Sequence, residues 1–273
     1  MVKILVFGPR GYIGKQLLEI LPGATGSDAD IADPSAVAAA FDAEKPDLIV
    51  NAAGKTGRPN IDWCEDNKME TVRGNVTGAL VLLNACQQKG VHFVHLSSGC
   101  IYQGDNGGKG FSEDDEPNFS GSFYSRTKVW SEAVLREFPV LILRLRMPFA
   151  PDMNDRNLIM KLRKYRTVLD VENSITYLPD FFTAARTLIE RRKTGIYNIV
   201  NGGPISPYRI MELYRDIVDP SHTFSRLPKE DIGTVVKAPR SNCVLSTAKL
   251  QQEGIAMEPV ENAVRIALES MKK

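Results

Sequence analysis

The stretch Val2-Lys3-Ile4-Leu5-Val6-Phe7-Gly8-Pro9-Arg10-Gly11-Tyr12-Ile13-Gly14-Lys15 decides how the chain folds. Its apolar run through Phe7 has the composition of a buried strand, and Lys15 to Leu21 reads as a helix that Pro22-Gly23 stops. Between them, glycines at 8, 11 and 14 allow a tight turn, close backbone approach to a ligand, and packing of the helix on the strand. A helix that starts there turns its unpaired N–H groups toward an anion. Strand, glycine turn and helix together therefore form a site for a dinucleotide pyrophosphate, with Tyr12 and Ile13 in the turn. Arg10 lies in the same turn, as a cation for a 2′-phosphate.

The pattern continues outward. A short strand near Gly23 to Ser27 leads to Asp28-Ala29-Asp30-Ile31, where an acid holds ribose hydroxyls and disfavours a 2′-phosphate. Arg10 and Asp28 or Asp30 thus point in opposite directions, and the choice between NADPH and NADH stays open. Asp33-Pro34 is an N-cap followed by Pro at the first helical position, opening a helix to about Glu44. Asp47 to Asn51 is the next strand, and Asn51-Ala52-Ala53-Gly54 gives a cofactor small residues to lie against. A long helix from about Asn67 to Lys89, closed by Gly90, carries Asn75. Val91 to Leu96 and Val140 to Arg146 are further buried strands, Gln103 to Phe119 an exposed loop, and Asn154 to Tyr165 a helix. This alternation predicts an α/β fold: a Rossmann-type doubly wound parallel sheet with a small C-terminal substrate-binding lobe. The expected boundaries are residues 1–152 and 174–200 for the dinucleotide-binding domain, and 153–173 and 201–273 for the lobe.

Two segments carry chemistry: Leu96-Ser97-Ser98-Gly99-Cys100-Ile101-Tyr102 and Ser122-Phe123-Tyr124-Ser125-Arg126-Thr127-Lys128. Tyr124 and Lys128, four residues apart at the start of a helix, point from one face. An ammonium beside a phenol favours the phenolate, so the expectation is a Tyr124 that exchanges its proton near neutral pH. Ser98, where the strand leaves the sheet, supplies a second donor to a substrate carbonyl. Ser, Tyr and Lys of this kind serve carbonyl reduction. Alone the pair is a weak signal; beside a nucleotide turn it gains weight.

Composition narrows the setting. With 273 residues, 43% hydrophobic, 25% charged and a net charge of +1, the chain has enough length for a sizeable core. That charge balance gives no reason to invoke nucleic acid or a membrane surface, and no apolar run approaches a membrane span. Cys64, Cys86, Cys100 and Cys243 have neither metal-like nor framework spacing. They read as reduced thiols in the cytoplasm, with no metal site. Met1-Val2-Lys3 leads straight into a strand, which reads against a signal peptide.

With these residues assembled, the chain resembles the extended short-chain dehydrogenase/reductase family along nearly its whole length. Gly8, Gly11 and Gly14 match its cofactor turn; Ser98, Tyr124 and Lys128 match its catalytic residues. Within the family it is similar to the dTDP-4-dehydrorhamnose reductase branch and to plant-type bifunctional UDP-4-keto-6-deoxyglucose 3,5-epimerase/4-reductases. The similarity is carried by Asn51 to Glu65, Gly99-Cys100-Ile101, Pro117 to Lys128, Arg144 to Pro148, Arg156 to Ile159, and Ala238 to Asn242. The resemblance implies a cytoplasmic, homodimeric enzyme that converts UDP-4-keto-6-deoxy-D-glucose to UDP-L-rhamnose with NADPH or NADH. It assigns Cys100 and Lys161 as acid and base for epimerisation, without saying which is which. Taken alone, Cys100 is a buried small hydrophobe and Lys161 a solvated helix lysine. By position, Ile31 and Met147 join the cofactor contacts. Arg58, Asn60, Asp62 and Gly99 fall to the sugar, and Asn157 and Arg240 to the diphosphate. A dTDP sugar in place of UDP, a reductase lacking epimerase activity, and a non-catalytic NADP-binding regulatory subunit are the alternatives.

Overall fold

The structure is a computed structural model that describes residues 2–272, the side chains of Lys229 and Thr234 aside. Its centre is a six-stranded parallel sheet of β1 (Ile4–Phe7), β2 (Ala24–Ser27), β3 (Leu48–Asn51), β4 (His92–Ser98), β5 (Val140–Leu145) and β7 (Gly195–Asn198), in the order β2-β1-β3-β4-β5-β7. All four residues of β1 and of β3 are buried, as befits strands covered by helices on both faces. In register, Ile4 lies opposite Ala24 on one side and Leu48 on the other, and Phe7 opposite Ser27 and Asn51. The chain leaves β1 in one direction to β2 and returns across it to β3. A crevice therefore opens outside the carboxyl ends of β1 and β3, the place where such sheets take ligands.

Helices α1 (Tyr12–Ile20), α2 (Pro34–Glu44), α5 (Gly78–Lys89) and α6 (Phe123–Leu135) flank this sheet. Leu5, Phe7, Phe41, Leu82, Phe93 and Ile142 form part of one core cluster. Asp33 caps α2, accepting from Ser35 N at 2.9 Å and Ala36 N at 3.3 Å, with Pro34 next in line as the sequence implies. The expected long helix after Asn67 is present as one continuous run, made of α4 (Lys68–Val72), a π-helical turn at Arg73–Thr77 and α5, closed by a left-handed Gly90, with a short α3 (Trp63–Asp66) before it.

Two compact units emerge. The first comprises the residues up to Ile101, with Phe119–Arg144 and Ala185–Tyr197; the second takes Tyr102–Asn118, Leu145–Ala184 and the residues from Asn198 onward. Residues 102–118, 145–152, 174–184 and 198–200, all expected in the dinucleotide-binding domain, fall in the second unit, the longest of these segments being Tyr102–Asn118. That segment is no free loop: Gly104 and Phe111 bridge to Cys243 and Leu245, and Asn198 Nδ2 donates to Phe111 O at 3.0 Å. Tyr102 stacks on Phe111 with centroids 4.5 Å apart. In the second unit, α7 (Leu158–Leu162), α9 (Pro207–Ile217) and α11 (Val260–Met271) pack through Ile159, Ile210, Tyr214, Val264 and Leu268. Two three-residue strands, β6 (Thr167–Leu169) and β8 (Ser225–Leu227), pair in parallel. Helix α8 (Leu178–Glu190) precedes β7, and α10 (Ala248–Gln252) precedes α11.

The helix expected over Asn154 to Tyr165 shrinks to α7. Asp152 and Asn154 side chains accept from Asn154 N and Arg156 N at 3.0 and 2.9 Å, which holds this approach in turns until Asn157 caps the helix. No helix among the described residues is long and apolar enough to cross a membrane.

Candidate active site

The glycine turn takes the predicted form. Gly8 has φ +80°, and a Cβ there would lie 2.7 Å from Ala53 N. A Cβ on Gly14 would sit 2.1 Å from Gly8 O, so no larger residue fits where α1 crosses the turn. Gly11 N donates to Gly8 O at 3.1 Å, and Gly11 caps α1 without a side-chain hydrogen bond. The first turn of α1, which includes Tyr12 and Ile13, thus starts directly from the glycine turn. Beside them runs a groove of about 360 Å³ whose lining includes Gly8, Arg10, Asp30, Ile31, Ala52, Ala53 and Gly54. A backbone-walled groove at a helix N-terminus suits an adenine dinucleotide.

The charges at its rim come in pairs. Arg10 Nε bonds Asp28 Oδ1 at 2.8 Å, and Arg73 Nη2 bonds Asp30 Oδ2 at 2.5 Å. Arg73, with Ala32 N, holds the Asp30 carboxyl below the usual carboxylate range. The sequence reading passed over Arg73, which lies 43 positions from its partner.

Two asparagines spend their amides on the scaffold. Asn51 is buried; its Nδ2 meets His95 Nδ1 at 3.1 Å and its Oδ1 accepts from Ala53 N at 3.1 Å. It therefore shapes the Ala52-Ala53-Gly54 wall instead of presenting a side chain to the groove. Asn75, in the π-helical turn, accepts from Lys55 N at 2.7 Å and donates to Lys55 O at 3.0 Å and Thr127 Oγ1 at 3.1 Å. Thr127 in turn donates to Tyr124 O at 2.7 Å. The loop after β3 is thus tied to the helix that carries Tyr124. Turns of this π type recur at functional sites because they re-aim one residue without ending the helix.

Helix α6 begins under several constraints. Ser122 Oγ accepts from Ser125 N at 3.1 Å, Ser125 Oγ donates to Cys100 O at 2.5 Å, and Glu65 Oε1 accepts from Phe123 N at 2.6 Å. These bonds dock the first turn of α6 against the end of β4. Ser98, Tyr124 and Lys128 are all buried, and Ser98 hydrogen-bonds the Tyr124 phenol. Ser98 Oγ also accepts from Cys100 N at 3.1 Å, and Lys128 Nζ donates to Leu96 O at 3.2 Å.

One electrostatic expectation needs correcting. Burial, then Cys100, push the Tyr124 phenol up, and the Ser98 bond only partly offsets them. Lys128 is brought down to about 8, by burial against the opposing pull of Glu132 and Cys100. Desolvation of the phenolate sets the direction. Tyr124 is a phenol at neutral pH, the form that donates a proton, and Lys128 is largely an ammonium.

The remaining candidates divide between the units. Arg58, Asn60 and Asp62 belong to the polar loop of the first unit, where Asn60 Oδ1 accepts from Asp62 N at 2.8 Å. Gly99 and Cys100 follow β4 directly. Met147, Asn157, Lys161 and Arg240 belong to the second unit. Met147 has φ +45° and packs on that unit's core. Lys161 on α7 is partly buried, and burial and Arg156 hold its amine below the ordinary lysine range. Arg240 Nη1 donates to Ala238 O at 2.8 Å. Asn157 does not suit a diphosphate: it is fully buried, caps α7 through Ile159 N at 3.0 Å, and donates to Ala150 O at 2.7 Å and Asp152 O at 2.8 Å. Its place is structural, because every polar group it carries is already satisfied inside the fold.

A parallel dinucleotide fold with Ser98, Tyr124 and Lys128 at the end of β4 and the start of α6 is that of a short-chain dehydrogenase/reductase. The chain matches the family model described as the RmlD substrate binding domain over residues 2–273, and it belongs to that family. It is 39% identical to the bifunctional dTDP-4-dehydrorhamnose 3,5-epimerase/dTDP-4-dehydrorhamnose reductase of Arabidopsis thaliana, covering 98% of this chain and 93% of that protein. A trifunctional UDP-glucose 4,6-dehydratase/UDP-4-keto-6-deoxy-D-glucose 3,5-epimerase/UDP-4-keto-L-rhamnose-reductase of the same plant is 37% identical over 92% of this chain, which spans only 39% of that protein. Among solved structures, the UDP-rhamnose synthase of Acanthamoeba polyphaga mimivirus superposes with TM-score 0.94 at 33% identity, covering 98% of this chain and 99% of that one.

Proposed function

We propose that this protein converts a UDP-4-keto-6-deoxy-hexose to UDP-L-rhamnose by 3,5-epimerisation followed by reduction at C4. The buried, hydrogen-bonded set of Ser98, Tyr124 and Lys128 beside a dinucleotide groove carries the reductive half. The 39% identity to a bifunctional epimerase/reductase over nearly the whole chain supports the pairing of the two activities.

The nicotinamide of NADPH supplies a hydride to C4 when bound. Ser98 and Tyr124 hold the C4 oxygen, and Tyr124 gives it a proton, so that ketone, hydride and proton become an alcohol and the oxidised cofactor. Lys128 stabilises the phenolate left behind, which solvent then reprotonates. Arg10 and Arg73 at the groove rim support NADPH, because each offsets an acid that would otherwise repel a 2′-phosphate.

For epimerisation the C4 ketone acidifies the protons on C3 and C5. Ser98 and Tyr124 stabilise the enolate that forms, while one group takes a proton and another returns one to the opposite face. Cys100 and Lys161 fill these two roles in this reading; the lowered Lys161 amine supports it as a group that trades protons near neutrality. Four free thiols support a cytoplasmic setting, and Trp130 and Val134, exposed on α6, support a homodimer formed through α5 and α6.

The test is turnover. Purified protein with UDP-4-keto-6-deoxyglucose and NADPH should yield UDP-rhamnose, whereas reduction of a pre-epimerised keto sugar alone would leave it a simple reductase. Tight NADP binding with no turnover on any keto sugar would support the regulatory-subunit alternative.

A further inference from the structure

Lys128 is one member of a buried row of charge. One turn along α6, Glu132 is 4% exposed, and Arg144 on β5 is 1% exposed. Arg144 Nε reaches both Glu132 oxygens at 3.1 Å, Nη2 bonds Oε1 at 2.5 Å, and Ser97 Oγ donates to Oε2 at 2.9 Å. A glutamate four residues from a buried lysine would by itself neutralise that lysine. Here the guanidinium also binds the carboxylate, so lysine, glutamate and arginine together leave one positive charge in a low-dielectric interior.

Building on the reductase reading, we propose that Arg144 is a positioning residue that acts through Glu132: by engaging that carboxylate it leaves the Lys128 charge available to the Tyr124 phenolate formed when the phenol gives up its proton. The groups facing Lys128 fit this arrangement. Glu132 comes from α6, His95 from β4, and Cys100 from the turn beyond it, and Tyr124 lies one turn back along α6. His95 is kept neutral by burial and by Lys128, so it adds no charge of its own. Cys64, from α3, acts on Tyr124. Glu132 raises Lys128 against the burial that lowers it, which makes the strength of that pull the adjustable quantity.

The experiment compares wild type with Arg144→Met, Arg144→Lys and the double variant Arg144→Met/Glu132→Gln. Folding is checked by circular dichroism. Two readouts follow: the pH profile of kcat for reduction, and NMR titration of Lys128 in isotopically lysine-labelled protein. In Arg144→Met, Glu132 turns its full charge on Lys128. Its titration and the basic limb of kcat should both move up by about one pH unit, with kcat down about tenfold. The double variant removes both charges, returns kcat to within about threefold of wild type and removes the upward shift. Arg144→Lys should keep the wild-type limb. Should Arg144→Met not fold, Arg144→Gln, which keeps a hydrogen bond to Glu132 without the charge, takes its place with the same expected upward shift and the same overturning result. A Lys128 titration unmoved in folded Arg144→Met, or a double variant whose kcat is as low as that of the single one, would overturn the proposal. If wild type proves to reduce no keto sugar, the reductase reading fails, while the NMR titration still decides whether Arg144 governs the Lys128 charge.

Discussion

Arg73 Nη2 lies 2.5 Å from Asp30 Oδ2, joining the π-helical turn to the segment after β2. Asp30 lines the groove, and an acid there would disfavour a cofactor bearing a 2′-phosphate. The guanidinium offsets that charge. Arg73→Ala should therefore raise KM for NADPH about three- to tenfold while changing KM for NADH little, the scale of a screened surface charge. Adding Asp30→Asn should restore most of the loss. The ratio of kcat/KM for the two cofactors across the three proteins checks this, and equal losses for both cofactors would contradict it.

Asn75 makes three hydrogen bonds that knit the loop after β3 to α6. Asn75→Ala leaves the Lys55 amide and carbonyl without this partner. Urea denaturation should show a stability loss of about 2–4 kcal/mol. A loss under 1 kcal/mol would mean that water replaces the amide at little cost.

These two relationships mark where the sequence stopped being legible. The glycine turn, the Asp33-Pro34 cap and the Tyr124–Lys128 spacing are local, fixed by neighbours within a turn or two of chain. Burial of β1, β3, β4 and β5 followed from their apolar runs and the parallel arrangement from their alternation with helices, whereas the strand order did not. Arg73 with Asp30 and Asn75 with Lys55 join residues 43 and 20 positions apart, and no local pattern announces such contacts. Tyr124 shows the same limit in its energetics: the Lys128 spacing was readable, whereas the desolvation that pushes the phenol up depends on everything packed around it. Asn157 looked like a ligand for want of knowing that Ala150 and Asp152 would claim its amide.

The lowered Lys128 gives stability a pH dependence of definite sign. A lysine brought down from 10.5 to about 8 binds fewer protons when folded than when unfolded between those values, so stability rises with pH there. The penalty of burying the ammonium is present in full below pH 8 and relieved as pH climbs. Against Lys128→Met, wild type should gain up to about 3 kcal/mol between pH 7 and 10. Above pH 10 the raised Tyr124 phenol works the other way. Chemical denaturation at a series of pH values measures the difference, and parallel curves for the two proteins would contradict a lowered Lys128.

Lys161 owes part of its lowered amine to Arg156. Arg156→Gln removes that repulsion, so the amine keeps its proton to higher pH. With Lys161 as the base, solvent exchange at the sugar carbons slows about two- to fivefold at pH 7 and recovers as pH rises; with Lys161 as the acid, exchange instead persists to higher pH. An unchanged profile would argue that Lys161 takes no part in proton transfer.

Proton exchange in the absence of reduction tests the paired activities most directly. Incubating the protein with UDP-4-keto-6-deoxyglucose in deuterated water, without NADPH, should place deuterium at C3 and C5, and Cys100→Ala or Lys161→Ala should abolish it. Retention of both protons by the wild-type protein, with a pre-epimerised keto sugar still reduced once NADPH is added, would contradict epimerisation and leave a reductase alone.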